Sequence, residues 1–277
     1  MKTAAINDRN SGIASLRSLV SPRAWKGVLG LLGILALWQT SIPLIGVSEY
    51  FYPSPAAVAR AAIHLVKTGI LPAYIGDSLG RYLAGVSIGV TLGILFGLLI
   101  GFSAGASRML SPIINFFFAI VEVAWIPLFV LWWGYGLKVI LVALSYIVFF
   151  PVLYNTILGV RSVPQVLINA AYSLGATRLQ LIQEVILPAA LPSIFTGLRL
   201  GAGFAFRGLI FSEMIAAKSG VGYLIFEGAS NQQTDRTIVG MIVMGLLWLF
   251  IERIYIRPLE ALTVDRWGLA TRAEDRE

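Results

Sequence analysis

Residues 161–188 read RSVPQVLINAAYSLGATRLQLIQEVILP, a polar interruption between two long apolar blocks. Pro164 suits the first turn of a helix and Gly175 suits the left-handed residue that closes one, so a helix of about ten residues is expected between them. Thr177 followed by Gln180 has the spacing of a reciprocal cap, which would open a second helix that Pro188 brings to a close. The expected product is two short helices on a glycine hinge. Ala170, Ala171 and Gly175 leave room for another surface to approach closely, while Leu167, Ile168, Leu174 and Leu179 offer apolar contact. A helix lying flat on a membrane is the plainer alternative.

Outward from this segment the chain is built for lipid. Of its 277 residues 57% are hydrophobic and 13% charged, with a mean hydropathy of +0.82, whereas soluble domains carry roughly a quarter of their residues charged. The apolar residues come in blocks of about 20, enough for a helix rising 1.5 Å per residue to cross about 30 Å of hydrocarbon. Six transmembrane helices are expected, at about 26–46, 81–102, 112–133, 138–160, 193–216 and 237–256, giving an all-α membrane protein. In this reading a polar tail at 1–24 precedes a membrane domain at 25–257, and a second tail at 258–277 follows it. Within Pro53–Ser78, the residues Val58, Ala62, Leu65 and Val66 recur at helical spacing and predict a surface helix. The basic N-terminus is followed by no convincing small-residue cleavage site, so the first apolar stretch reads as a retained span.

Lys and Arg accumulate on the cytoplasmic side of such helices. With the N-terminus inside, the inner segments hold the larger share: Lys2, Arg9, Arg17, Arg23, Lys26, Arg108, Arg161, Arg178, Arg199, Arg253, Arg257, Arg266, Arg272 and Arg276. The outer segments hold Arg60, Lys67, Arg81, Lys138, Lys218 and Arg236. Both termini are therefore expected in the cytoplasm. The net charge of +7 sits at span ends rather than in a stripe, which argues against nucleic acid as a partner. A chain without Cys has no disulfide framework or thiolate nucleophile, and the single His64, read as solvated, cannot build a multi-His metal site. Trp25, Tyr82, Trp133 and Tyr255 read as interfacial anchors.

Inside the spans two patterns stand out. Gly85, Gly89, Gly93, Gly97, Gly101 and Gly105 recur every fourth residue and make a seam for a closely approaching helix, within the chain or between subunits. Gly197 and Gly201 extend the theme. Glu122 and Arg207 place charges where insertion costs about 2.5–3.5 kcal/mol, so each needs a partner or a wet cavity. Arg207 is a candidate for lining a solute pathway, its planar fork suiting carboxylate or sulfonate oxygens, with Glu122 orienting it; an internal Glu122–Arg207 ion pair is the alternative. Phe116, Phe117, Phe118, Trp125 and Phe206 read as core packing or an aromatic gate, and Glu213 as a structural hydrogen-bonding group.

The segment at 161–188 resembles the coupling loop of permease subunits of ATP-binding cassette importers, whose pattern is Glu-Ala-Ala, three residues, Gly, about nine residues, then Ile-x-Leu-Pro. This chain has Asn169-Ala170-Ala171, Gly175 and Val185-Ile186-Leu187-Pro188; Asn169 stands where the family has Glu and carries no charge. Ala124-Trp125-Ile126-Pro127-Leu128, Leu131-Trp132-Trp133-Gly134, Leu187-Pro188-Ala189-Ala190-Leu191-Pro192 and Gly220-Val221-Gly222-Tyr223 are similar to the nitrate, sulfonate and taurine branch, over roughly residues 50–268.

The resemblance implies a type I importer permease fold. It also implies a coupling loop at about 161–190, with Asn169, Ala170, Ala171, Gly175, Ala176, Arg178, Glu184 and Pro188 at the contact with a cytoplasmic ATPase. It implies a bacterial inner-membrane location and a homodimer served by two ATP-binding subunits and an extracytoplasmic solute-binding protein. No Gly-x-x-x-x-Gly-Lys-Ser/Thr loop occurs in the sequence, so ATP and Mg are expected on the partner subunits, with no cofactor here. Arg207, Glu122, Trp125 and Phe206 are the expected pathway residues for a small anion, and Gly89, Gly93, Gly97 and Gly101 the packing residues. An ion-coupled transporter or a membrane-embedded lipid-modifying enzyme are the competing readings.

Overall fold

The structure, a computed structural model, describes residues 22–46, 48, 50–256 and 258; most of the two expected tails lies outside the described residues. Among these the elements are helical: α1 Pro22–Ile45, α2 Pro55–Lys67, α3 Ile70–Phe102, α4 Ala104–Ala119, a 3₁₀ turn at Glu122–Trp125, α5 Ile126–Trp133, α6 Leu137–Arg161, α7 Gln165–Ser173, α8 Arg178–Ala216, α9 Val221–Ser230 and α10 Thr234–Ile251.

The spine of the fold is α6. Ile140, Leu144, Val148, Val152, Leu153 and Thr156 along it have no exposed surface. Glycines make this burial possible on two sides. On α3, a β-carbon added at Gly89 would stand 2.6 Å from the Ser145 carbonyl oxygen, at Gly93 2.8 Å from the Val152 Cβ, at Gly97 2.6 Å from the Thr156 Cβ and at Gly101 3.0 Å from the Val160 Cβ. On α8, a β-carbon added at Gly197 would stand 2.9 Å from the Pro151 carbonyl oxygen and one at Gly201 3.2 Å from Val148 Cγ1. Lipid tails are as apolar as Leu, so helices in a bilayer associate through close van der Waals contact, which small residues permit. The α3 seam packs within the chain from Gly85 to Gly101; Gly105 begins α4 and has no such neighbour.

Among the described residues four helices, Ile70–Phe102, Leu137–Arg161, Arg178–Ala216 and Thr234–Ile254, are long and apolar enough to cross a bilayer. The stretch expected as a straight span at 112–133 is instead two arms, Gly105–Ala119 and Glu122–Trp133, bent by 87°. Ile120 and Val121 are extended at the break, and Pro127 falls in the first turn of α5, where its missing N–H costs no hydrogen bond. In α1 the apolar stretch among the described residues is Leu32–Leu44, shorter than the expected crossing at 26–46.

The structure alters three other expectations. The span expected from residue 81 begins at Ile70, so Arg81 lies within a helix. Tyr82 is no interfacial anchor: it is 3% exposed and donates to the Ala202 carbonyl at 3.0 Å. On α2, Val58 and Leu65 are buried but Val66 points outward.

Candidate functional site

The segment between α6 and α8 folds as an elbow at one end of the bundle. Pro164 sets the entry to α7. At its exit Gly175 takes φ +81°, the Ala176 N–H reaches the Ala171 carbonyl at 3.0 Å, and the Gly175 N–H reaches Tyr172 at 3.0 Å. That pair of bonds satisfies carbonyls a helix end leaves open, and it needs a left-handed residue between them. The chain then restarts: the Thr177 hydroxyl accepts from the Gln180 N–H at 3.3 Å and the Gln180 side chain accepts from the Thr177 N–H at 2.8 Å.

Pro188 does not close the second helix as its sequence position suggests. The helix opened at Arg178 runs on to Ala216, passing through a π-helical turn at Leu181–Ile186 in which the Leu187 N–H reaches back to Ile182. Widening the turn just before Pro188 accommodates a residue that has no N–H to give and would otherwise crowd the carbonyl four positions back. The consequence is mechanical, because the second arm of the elbow is the beginning of a membrane-crossing helix.

The elbow has two faces. Inward, Ile168 and Ala171 pack on Val163, Leu181, Ile186, Ala190 and Ile194, which tie α7 to the start of α8. Outward, Val166, Leu167, Tyr172, Leu174 and Leu179 form an apolar crest, Leu174 being 89% exposed. Asn169, Ala170, Gly175, Arg178 and Glu184 are exposed on the elbow, whereas Ala171, Ala176 and Pro188 are half-buried. Val166 and Tyr172 belong to the crest although sequence reasoning did not single them out. Ile168, expected to offer contact to a partner, turns inward.

The four expected pathway residues fall in two places. Arg207 is exposed and Phe206 nearly buried on α8, both lining a cavity of about 540 Å³ with Met214, Met241, Met244 and Trp248. Glu122 and Trp125 lie at the break between α4 and α5, where Trp125 packs against Phe117, Phe129 and Tyr146. The alternative Glu122–Arg207 ion pair is not formed: the ion pairs among the described residues join Arg81 to Asp77 and Glu213.

That second pair was not legible in the sequence. Glu213, with no exposed surface, accepts from Ser78 at 2.9 and 2.8 Å, from Arg81 at 2.8 Å and from the Gly222 N–H at 2.9 Å. Arg81 also donates to the Ser219 carbonyl and hydroxyl at 2.7 Å each. The cluster pins α3, α8 and α9 together at the end of the bundle opposite the elbow. Among the described residues no three His, Cys, Asp or Glu side chains gather as metal ligands would.

A bundle of long apolar helices keyed on one buried helix, with a capped elbow leading straight into a crossing helix, is the architecture of a multi-pass membrane protein. Residues 89–255 match the model of the binding-protein-dependent transport system inner membrane component, and the chain belongs to this family. It is 38% identical to the putative aliphatic sulfonates transport permease protein SsuC of Escherichia coli K12, over 81% of this chain and 88% of that one. Identity is 34% with the taurine transport system permease protein TauC of the same strain, over 79% and 82%. With the riboflavin transport system permease protein RibX of Chloroflexus aurantiacus it is 36%, over 82% and 87%.

The fold also matches the MetNI methionine ABC transporter in an inward-facing conformation, with a TM-score of 0.53 at 20% identity, over 69% of this chain and 96% of that one. The protein is thus the permease component of an ABC importer, which works with ATPase and substrate-binding partners. ATP hydrolysis belongs to the separate ATPase subunits.

Proposed function

We propose that this permease carries a small anionic solute, of the sulfonate, taurine, nitrate or aromatic-acid type, into the cytoplasm, driven by ATP-binding subunits that grip its elbow. The observation that carries the reading is the apolar crest of Val166, Leu167, Tyr172, Leu174 and Leu179, presented on a capped helix whose other face is wedged against the root of α8. Surface crests of this kind gain their stability by being covered. Ala170 and Gly175 let the covering surface come close, and Asn169, Arg178 and Glu184 supply polar contacts at its rim. The assembly is two copies of this chain, two cytoplasmic ATPases holding ATP and Mg, and an extracytoplasmic solute-binding protein. The distribution of Lys and Arg supports a cytoplasmic elbow and cytoplasmic termini, with the membrane domain at 25–257 and tails at 1–24 and 258–277.

Leu174→Glu tests the coupling. The variant should insert and fold as wild type but lose both co-purification with the ATPase and ATP-driven uptake in reconstituted vesicles. Full ATPase binding by this variant would overturn the reading.

Charge and the company it keeps favour an anion as cargo. Arg207 stands in a cavity whose other walls are apolar and sulfur-bearing, and a relative's name specifies taurine and another's sulfonates. A hydrogen bond to a charged group contributes roughly 1.5–3 kcal/mol, so Arg207→Ala should raise the KM for uptake roughly 10-fold or more. Unchanged KM and kcat in proteoliposomes would remove Arg207 from the pathway, and with it Phe206, Glu122 and Trp125 would lose their reason to be there.

A further inference from the structure

A second cavity, of about 360 Å³, opens at the elbow end of the bundle between Gly101, Phe102, Ser107, Arg108 and Arg161. Its construction follows from the glycine seam. Gly101 brings the end of α3 against Val160, so the next residue, Arg161, closes α6 beside Phe102. After Phe102 the chain turns at Ser103, whose side chain caps α4 by accepting from the Ala106 N–H at 3.2 Å. The first turns of α4 then carry Ser107, 8% exposed, and Arg108 to the same opening. Two arginines thus line one cavity.

Neither arginine makes an ion pair or side-chain hydrogen bond among the described residues. The elements that build the cavity supply none beside it: the only acid they hold is Asp77, near the opposite end of α3 and paired with Arg81, and the sequence has no Asp or Glu from residue 78 to 121 or from 123 to 183. Paired cations without a local counter-charge repel each other unless an anion joins them. The position fixes what kind of anion is at hand. Arg161 is the last residue of a crossing helix, and beside the two arginines the neighbouring Leu158 and Met109 are 62% and 77% exposed, as side chains facing acyl tails are. Basic pockets between helices at the membrane boundary suit phospholipid head groups.

We infer that Arg108 and Arg161 form a phosphate-binding site at the elbow-side boundary of the membrane, filled by the head group of an anionic phospholipid. Arg108 and Arg161 donate to the phosphate oxygens, and Ser107 lies at the rim of the same cavity. The site is separate from the Arg207 cavity and does not depend on which solute is carried.

The test uses the full chain with its ATPase in nanodiscs of phosphatidylcholine alone or with one quarter phosphatidylglycerol. Wild type should retain phosphatidylglycerol in native mass spectrometry after mild delipidation, and its Tm should rise when that lipid is present. Arg108→Ala with Arg161→Ala should lower retention roughly 30-fold and abolish the rise. Arg108→Lys with Arg161→Lys should keep most of both, and Arg60→Ala with Lys67→Ala, which removes two charges from α2, should change neither. If inorganic phosphate in pure phosphatidylcholine reproduces the rise while phosphatidylglycerol adds nothing, the source is soluble phosphate and the lipid assignment falls. Equal retention by wild type and the double Ala variant, or loss of the ATPase in place of the lipid, overturns the site.

Discussion

Glu213 and Arg81 are 132 positions apart in the chain and 2.8 Å apart in space. Their pairing shows what a single sequence hides. Read alone, Arg81 looks like the outer flank of a span and Glu213 like a structural hydrogen-bonding group whose partner is unnamed, because nothing local ties them. Once α3 and α8 clamp α6, the two meet, and Ser78 serves both sides, donating to Glu213 and accepting the Val221 N–H at 2.9 Å. Removing one partner of a buried ion pair leaves an uncompensated charge, at a cost of about 3–5 kcal/mol. Arg81→Ala should therefore lower the Tm of the purified complex sharply, and Glu213→Gln, which still offers an acceptor to Ser78 and Gly222, should lower it less. Equal stability of Arg81→Ala and wild type would mean that the cluster contributes no net stability.

At the scale of elements, periodic signals were legible and breaks were not. The every-fourth-residue glycines predicted a packing seam, and from Gly85 to Gly101 the seam meets α6, since a four-residue repeat turns only slowly around a helix of about 3.6 residues per turn. The caps at Gly175 and Thr177 were likewise readable, since their geometry is local. Two breaks escaped. The 87° bend after Ala119 lies in a mostly apolar stretch where Glu122 read as a charge within one span, because hydropathy reports lipid contact but not direction. Pro188 looked like a terminus, and the π turn that absorbs it has no sequence signature. The seam makes a sharp forecast: Gly89→Ala presses a methyl onto the Ser145 backbone and should destabilise by about 1–3 kcal/mol. Gly80→Ala, with open space around it, should be neutral or slightly stabilising. Thermal unfolding in detergent compares the two.

For the whole molecule, α6 is held from both sides by close glycine contacts, and α3, α6 and α8 are expected to move as one body. A disulfide between α3 and α6 should then be harmless. The chain has no Cys of its own, and Gly101→Cys with Val160→Cys would place β-carbons near 3.0 Å, needing slight relaxation to the usual spacing. Oxidised and reduced forms of this variant should import solute at the same rate in proteoliposomes; inhibition on oxidation would show that the two helices move relative to each other during the cycle.

The π turn before Pro188 has a mechanical consequence for α8. A helix that began afresh at Pro188 would leave a joint between elbow and membrane, and a push on α7 would be spent in bending it. Here the thirty residues from Leu187 to Ala216, about 45 Å of helix at 1.5 Å each, continue the elbow's second arm without a gap. On the proposed coupling role, the widened turn should act as a splice in a pushrod, carrying a displacement of the crest along α8 towards Glu213 at its other end.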